Sequence, residues 1–197
     1  MLKIAVSGKM GSGKTTFYET LREFHNNNHH NISGKEDDVV YRFSLADPVK
    51  EVAYNYFGMP SDIKDRKLLQ QIGQKFREID PDVWVNLMIN KVEKQEIKEW
   101  ENWEAAICDD VRFPNEAKAL KDDGWVMIRL EVSENEQKRR LKSAYGDGWE
   151  EHWKNRHEIS ETALDNYDFE WDYIFTDLDI KDIPTKIKEI YAPHRIK

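Results

Sequence analysis

Residues 8 to 15 read Gly-Lys-Met-Gly-Ser-Gly-Lys-Thr, a spacing that suits one chemistry, the holding of a chain of phosphates. Gly8, Gly11 and Gly13 let successive backbone N–H groups turn toward anionic oxygens with no side chain in the way. Lys14 then reaches the β and γ phosphates, and the Thr15 hydroxyl ligates Mg²⁺. The helix that follows aims its positive end at the anion. Gly8, Gly11, Ser12, Gly13, Lys14, Thr15 and Thr16 form the expected ATP-binding set, with Thr16 either at the α phosphate or an ordinary helix residue. A metal beside such a loop calls for a carboxylate at the end of a neighbouring buried strand. The run Ala105 to Asp110 supplies Asp109 and Asp110. Strand alternation sends them to opposite faces, and Asp110, nearer the strand's end and beside Arg112, is the preferred metal residue.

These residues need a frame, and the apolar pattern supplies one. Leu2 to Ser7 reads as a strand and Thr15 to Phe24 as a helix with Phe17, Leu21 and Phe24 on one face. A polar, asparagine-rich stretch, His25 to Asp38, leads into a strand at Val39 to Ser44. Its three histidines do not show the converging spacing of a metal site. Asp47 to Lys98 is helical, with breaks at Gly58 to Pro60 and Asp80-Pro81, giving about three helices with no strand between them. Further strands are expected at Ala105 to Asp110, Trp125 to Val132 and Trp171 to Thr176, and helices at Asn115 to Lys121, up to Ser143, and around Ile183 to Tyr191. Ser133 and Glu136 have capping-box spacing. The alternation predicts an α/β fold of the P-loop NTPase kind. The arrangement expected is a three-layer α/β/α one with a mostly parallel five-stranded sheet, a helical insert over about 46–98 and a lid over about 134–160, all in one domain spanning 1–197.

The segment Asp110-Val-Arg-Phe-Pro-Asn-Glu116 extends the argument. With Ser7 to Lys14, Phe43-Ser-Leu-Ala-Asp-Pro-Val-Lys50, an arginine (Arg77) before Pro81-Asp-Val-Trp84, and His157-Glu-Ile-Ser-Glu161, it resembles the phage-type deoxynucleoside monophosphate kinases. The similarity runs from Leu2 to about Ile190. The glycine loop is shared by many NTPases, and the Asp110 to Glu116 segment is far more specific; Thr15-Thr16 departs from the Asp-Thr found in many relatives. The resemblance implies transfer of the γ phosphate of ATP to a deoxynucleoside 5′-monophosphate, in the service of dNTP supply for phage DNA synthesis. A second phosphate must then be held near the first by cations other than Lys14. Arg77 and Arg112 are the expected forks on it, with Lys50 next. Base recognition draws on Phe43 and Trp84, each equally well placed for core packing, with Asn115 and Glu116 in the same cleft. Asp47 either accepts from the sugar hydroxyl or caps its helix. In the lid, Arg139 and Arg140 lie about 100° apart on one helix, so one of them aims at phosphate, against the alternative of a solvated basic face. The expected catalytic set is Lys14, Arg112, Arg139 and Arg140. Trp149 and Trp153 share a face that reads as packing, and His157 is not expected to be catalytic.

Composition bounds the alternatives. The 197 residues suit one domain of roughly 100 to 200 residues. A net charge of −8 argues against a stable nucleic-acid partner, since such affinity comes from clustered cations. No run approaches the roughly 20 apolar residues of a membrane span and no signal peptide is expected. Cys108 stands alone, in keeping with a reducing cytoplasm, the host's if the chain is phage-encoded. The expected partners are ATP and deoxynucleoside monophosphates; a homodimer is compatible with the sequence and not required by it. Two other readings compete: a different small P-loop metabolite kinase, such as one like dephospho-CoA kinase, and a nucleotide-dependent switch or ATPase.

Overall fold

The computed structural model describes residues 1–28, 40–62, 65–99 and 105–194. In chain order the elements are β1 (Leu2–Gly8), α1 (Lys14–Asn28), β2 (Val40–Phe43), α2 (Asp47–Phe57), α3 (Arg66–Ile79), α4 (Val83–Glu99), β3 (Ala105–Val111), α5 (Pro114–Asp122), β4 (Val126–Glu131), α6 (Glu134–Tyr145), α7 (Trp149–Lys154), α8 (Ile159–Thr162), β5 (Tyr173–Thr176) and α9 (Ile183–Tyr191). Among the described residues the sheet runs β2-β3-β1-β4-β5, with every neighbouring pair parallel. Parallel strands need crossover helices on the faces, so both faces are covered and the strands are apolar almost throughout. Ile4, Val6, Ile107 and Ile128 meet α1 and α9 on one face, through Phe17, Leu21, Ile187 and Ile190. Ala5, Ala106, Cys108 and Met127 meet α4 and α5 on the other. A third apolar cluster, Val49, Ala53, Met59, Ile72 and Trp84, holds α2, α3 and α4 together as the insert.

Local chemistry sets several boundaries. Gly58 ends α2 in the left-handed conformation that residues with a Cβ avoid. The Asp65 side chain accepts from Leu68 N–H at the start of α3. Helix α6 departs from expectation. Ser133 makes no side-chain cap there. Its N–H donates instead to Asp177 Oδ1 at 2.7 Å. The Glu136 carboxylate turns to Arg139 and Arg140, because two guanidinium partners outbid one backbone amide. Asp177, just past β5, has φ +49°, and this uncommon conformation delivers its carboxylate to α6. Of the three histidines, His25 is buried in α1 with its Nε2 2.7 Å from the Tyr191 hydroxyl, while His29 and His30 lie outside the described residues, as does Val39. No helix among the described residues is long and apolar enough to cross a membrane.

Candidate active site

The loop between β1 and α1 sits at the carboxyl end of the central strand, where parallel sheets of this topology bind ligands. Gly11 and Gly13 have φ of +75° and +98°, values only glycine adopts without strain. Lys14 Nζ donates to Gly8 O at 2.5 Å and Lys9 O at 3.0 Å, folding the lysine over its own loop. Burial, together with the Arg112 guanidinium, brings the Lys14 ammonium down to about 8, against the opposing pull of Glu161 and Asp109. An anion arriving here restores the charged form. The Ser12 hydroxyl is buried and has no hydrogen-bond partner among the described residues. Beside the loop lies a cavity of about 530 Å³, walled by residues 11 to 16, α6 and the turn Asp177 to Ile180. Its size and polarity suit a nucleotide.

Helix α6 docks on the loop through two side chains. Gln137 Nε2 donates to Met10 O at 2.7 Å, and Arg140 Nη1 to Ser12 O at 3.0 Å. Arg140 also reaches Leu178 O and Glu136, and its side chain is 20% exposed; Arg139, at 71%, pairs only with Glu136 among the described residues. Both border the cavity. Behind α6, Trp149 and Trp153 pack as expected of a shared face, capped by Lys142 and Lys138.

The strand-end aspartates divide as alternation requires. Asp109 lies on the α1 face, almost fully buried, in a two-point pair with Arg42 at 2.7 and 2.9 Å. Asp110, half-buried on the other face, accepts from Ser44 Oγ at 2.6 Å, Leu45 N at 2.9 Å and Ala46 N at 3.2 Å. It thereby joins the carboxyl ends of β2 and β3. The Thr15 hydroxyl is exposed at the start of α1, bordering the cavity with Thr16. A Thr hydroxyl and a strand-end carboxylate are donor types that suit Mg²⁺ bound mainly by phosphates; in this conformation both oxygens of the expected Asp110 are engaged by the turn after β2, and Asp109 is the aspartate whose charge reaches Lys14.

Glu116 organises the arginines on the side away from the cavity. Its Oε2 accepts from Arg112 N and Phe113 N, and its Oε1 lies 3.4 Å from Arg77 Nη2. Burial raises its carboxyl above the usual range, the two amides opposing. Arg77 also lies over the Phe113 ring at 4.9 Å. Arg112 Nη1 donates to Glu161 Oε1 at 2.6 Å, and Glu161 Oε2 accepts from Met10 N at 2.6 Å. A continuous run of contacts thus leads from Met10 of the loop through Glu161, Arg112 and Glu116 to Arg77.

Other expected residues serve different ends in this conformation. Trp84 is 1% exposed, donates its indole N–H to Gly73 O and stacks on Phe76. Phe43 packs in the sheet core. Of the two roles open to each, the structure places both rings in the core. Asp47 pairs with Lys50 at 2.8 Å instead of capping α2, whose N-cap is Ala46. Asn115 Nδ2 donates to Pro81 O and Asp82 Oδ1, fastening α5 to the turn before α4.

Some participants carried no sequence signal. Lys9 pairs with Asp165 at 2.6 Å, and Asp165 with Arg129, which donates to Ser7 Oγ. Met10 is gripped at both its N–H and its C=O. Glu161 closes the His157 to Glu161 segment, and nothing in the local sequence points to its contact with Met10.

Among the solved structures similar to this chain, two overlay on nearly its full length with TM-scores above 0.5. The Thermus thermophilus protein TT1252 is 14% identical, with TM-score 0.58, over 100% of this chain and 98% of that one. An uncharacterized protein from Eubacterium ventriosum ATCC 27560 is 13% identical, with TM-score 0.54, over 98% and 99%. At such identities the likeness is one of fold. No curated protein sequence matches the chain. A family model does match, that of the AAA domain (AAA_18), over residues 4–163, a span that includes the glycine loop, both aspartates, Arg112 and Glu161, and the chain belongs to that family.

Proposed function

We propose that this chain is a deoxynucleoside monophosphate kinase, transferring the γ phosphate of ATP to a deoxynucleoside 5′-monophosphate, with phage dNTP supply as its setting. The observation that carries the reading is a second set of cations beside the phosphate loop. Arg112, joined to Met10 through Glu161, and Arg77, joined to Arg112 through Glu116, lie apart from the cavity that suits the donor. A hydrolase or switch needs one phosphate site, whereas a phosphotransferase acting on a phosphate needs two in register.

In this reading the donor lies in the cavity with its phosphates on residues 8 to 15, and the acceptor phosphate lies on Arg112 and Arg77. An acceptor oxygen attacks the γ phosphorus in line. The bond from that phosphorus to the β–γ bridging oxygen breaks, and ADP leaves with the electron pair. Lys14 and Arg112 stabilise charge on the equatorial oxygens, and Arg140 follows the lid onto the donor phosphates. Thr15 and Asp110 are the residues that would hold Mg²⁺, which would supply charge neutralisation to the donor phosphates. Phe113, under the Arg77 guanidinium, and Phe76, partly exposed in the insert, are the aromatic rings beside the second set of cations, Phe43 and Trp84 being in the core. The test is product identity. Phosphorus NMR of protein, Mg·ATP and one monophosphate at a time shows the diphosphate growing as ATP declines; inorganic phosphate as the sole product refutes the reading.

A further inference from the structure

The transfer chemistry above leaves Glu161 without a task, yet it occupies a demanding position. Its side chain is 6% exposed and uses one oxygen on each of two partners, the Met10 N–H of the donor loop and Arg112 Nη1, both at 2.6 Å. Arg112 Nη1 also points at Ser160 O, 3.4 Å away. Nη1 is thus engaged from the protein side, whereas Nε and Nη2 have no protein partner among the described residues and the side chain stays 38% exposed. A guanidinium held along one edge presents the other as a two-point fork, the geometry that suits a phosphate. A buried carboxylate beside an anion site repels the anion it borders. A mere tie between α8 and the loop would not need it there.

Resting on the kinase reading, we propose that Glu161 is a positioning residue for phosphoryl transfer. It sets the spacing between the donor loop and Arg112, and by engaging Nη1 it turns the free edge of the guanidinium toward the acceptor phosphate. The segment is anchored independently of this contact, by buried Leu164 and by Asp165 on Lys9 and Arg129, so the carboxylate can be altered without releasing its backbone.

The experiment is a double-mutant cycle of Glu161→Gln and Arg112→Ala, with thermal melts of every variant. Wild-type turnover with monophosphates comes first, and its absence refutes the kinase reading alone. In that event the same cycle is read by tryptophan-fluorescence titration with inorganic pyrophosphate, where non-additive losses support the role of Glu161 and additive losses overturn it. Where turnover is present, kcat for Glu161→Gln falls on the order of 10- to 100-fold, the scale of a misplaced reacting group, while KM for ATP stays within about threefold. On the Arg112→Ala background the same change costs less than about twofold, because the path through Arg112 is already lost. Multiplying losses, or a wild-type kcat for Glu161→Gln, overturn the proposal. Should Glu161→Gln fail to fold, Arg112→Lys, which keeps the charge but loses the fork, must reproduce the kcat defect; wild-type kcat for that variant overturns the proposal equally.

Discussion

Arg140 Nη1 donates to the carbonyl of Ser12 at 3.0 Å, so a side chain of α6 is bonded to the phosphate loop beside it. Arg139, one residue earlier and also bordering the cavity, pairs with Glu136 alone among the described residues. We propose that Arg140, the one of the two in contact with the loop, is the arginine that serves the donor phosphates. Arg140→Ala should lower kcat by about 10²- to 10³-fold, the scale of losing one preorganised charge donor. Arg139→Ala should change it less than about threefold, since exposed ion pairs contribute little. Steady-state kinetics of both variants check this.

The depressed Lys14 ammonium predicts a pH dependence of nucleotide binding. In the free protein it titrates near 8, and phosphate favours its charged form. Affinity for ATP should be constant below that value and weaken as pH rises through it, with proton uptake on binding around pH 8 to 8.5. Calorimetry in two buffers of different ionisation enthalpy measures that uptake. In Lys14→Met it should vanish.

Asp109 and Asp110 separate by experiment as they do by geometry. Asp110→Asn should raise the Mg²⁺ concentration needed for half-maximal activity at least about tenfold, one weakened outer partner of the metal. Asp109→Asn strands Arg42 and should cost about 1–3 kcal/mol of stability with a smaller effect on the metal. Magnesium titrations and urea unfolding of both variants distinguish the two roles.

Trp84 predicts a stability effect where base stacking would predict a binding effect. Trp84→Ala should lose about 3–5 kcal/mol, from the emptied core and the lost indole hydrogen bond. Trp84→Phe should retain most of the packing and leave monophosphate KM within about twofold. A large KM change in a stable Trp84→Phe protein would return the indole to the acceptor site.

Much of this architecture is legible in the sequence because its signals are local. The run Leu2 to Ser7, the glycine spacing and the periodicity of residues 183–191 each contain the reason for their own structure, as do the insert breaks at Gly58 to Pro60 and Asp80-Pro81. The Ser133 cap failed because its competitor, Asp177, lies 44 residues away. Phe43 and Trp84 were ambiguous because a stacking aromatic and a core aromatic look identical in an apolar run. Arg112 and Glu116 are four residues apart and readable as a pair, whereas the Met10–Glu161 bond spans 151 residues and exists only once the sheet has assembled. Local chemistry revealed the donor loop; tertiary contact was needed for the groups that join it to the second set of cations.

The most direct measurement is ADP release from Mg·ATP in a coupled assay, with each of the four deoxynucleoside monophosphates supplied in turn and Lys14→Ala as control. The account predicts that at least one monophosphate stimulates ADP release in step with formation of its diphosphate, and that Lys14→Ala abolishes both. ATP binding without stimulation by any monophosphate would contradict it and leave the second set of cations without the acceptor assigned to them.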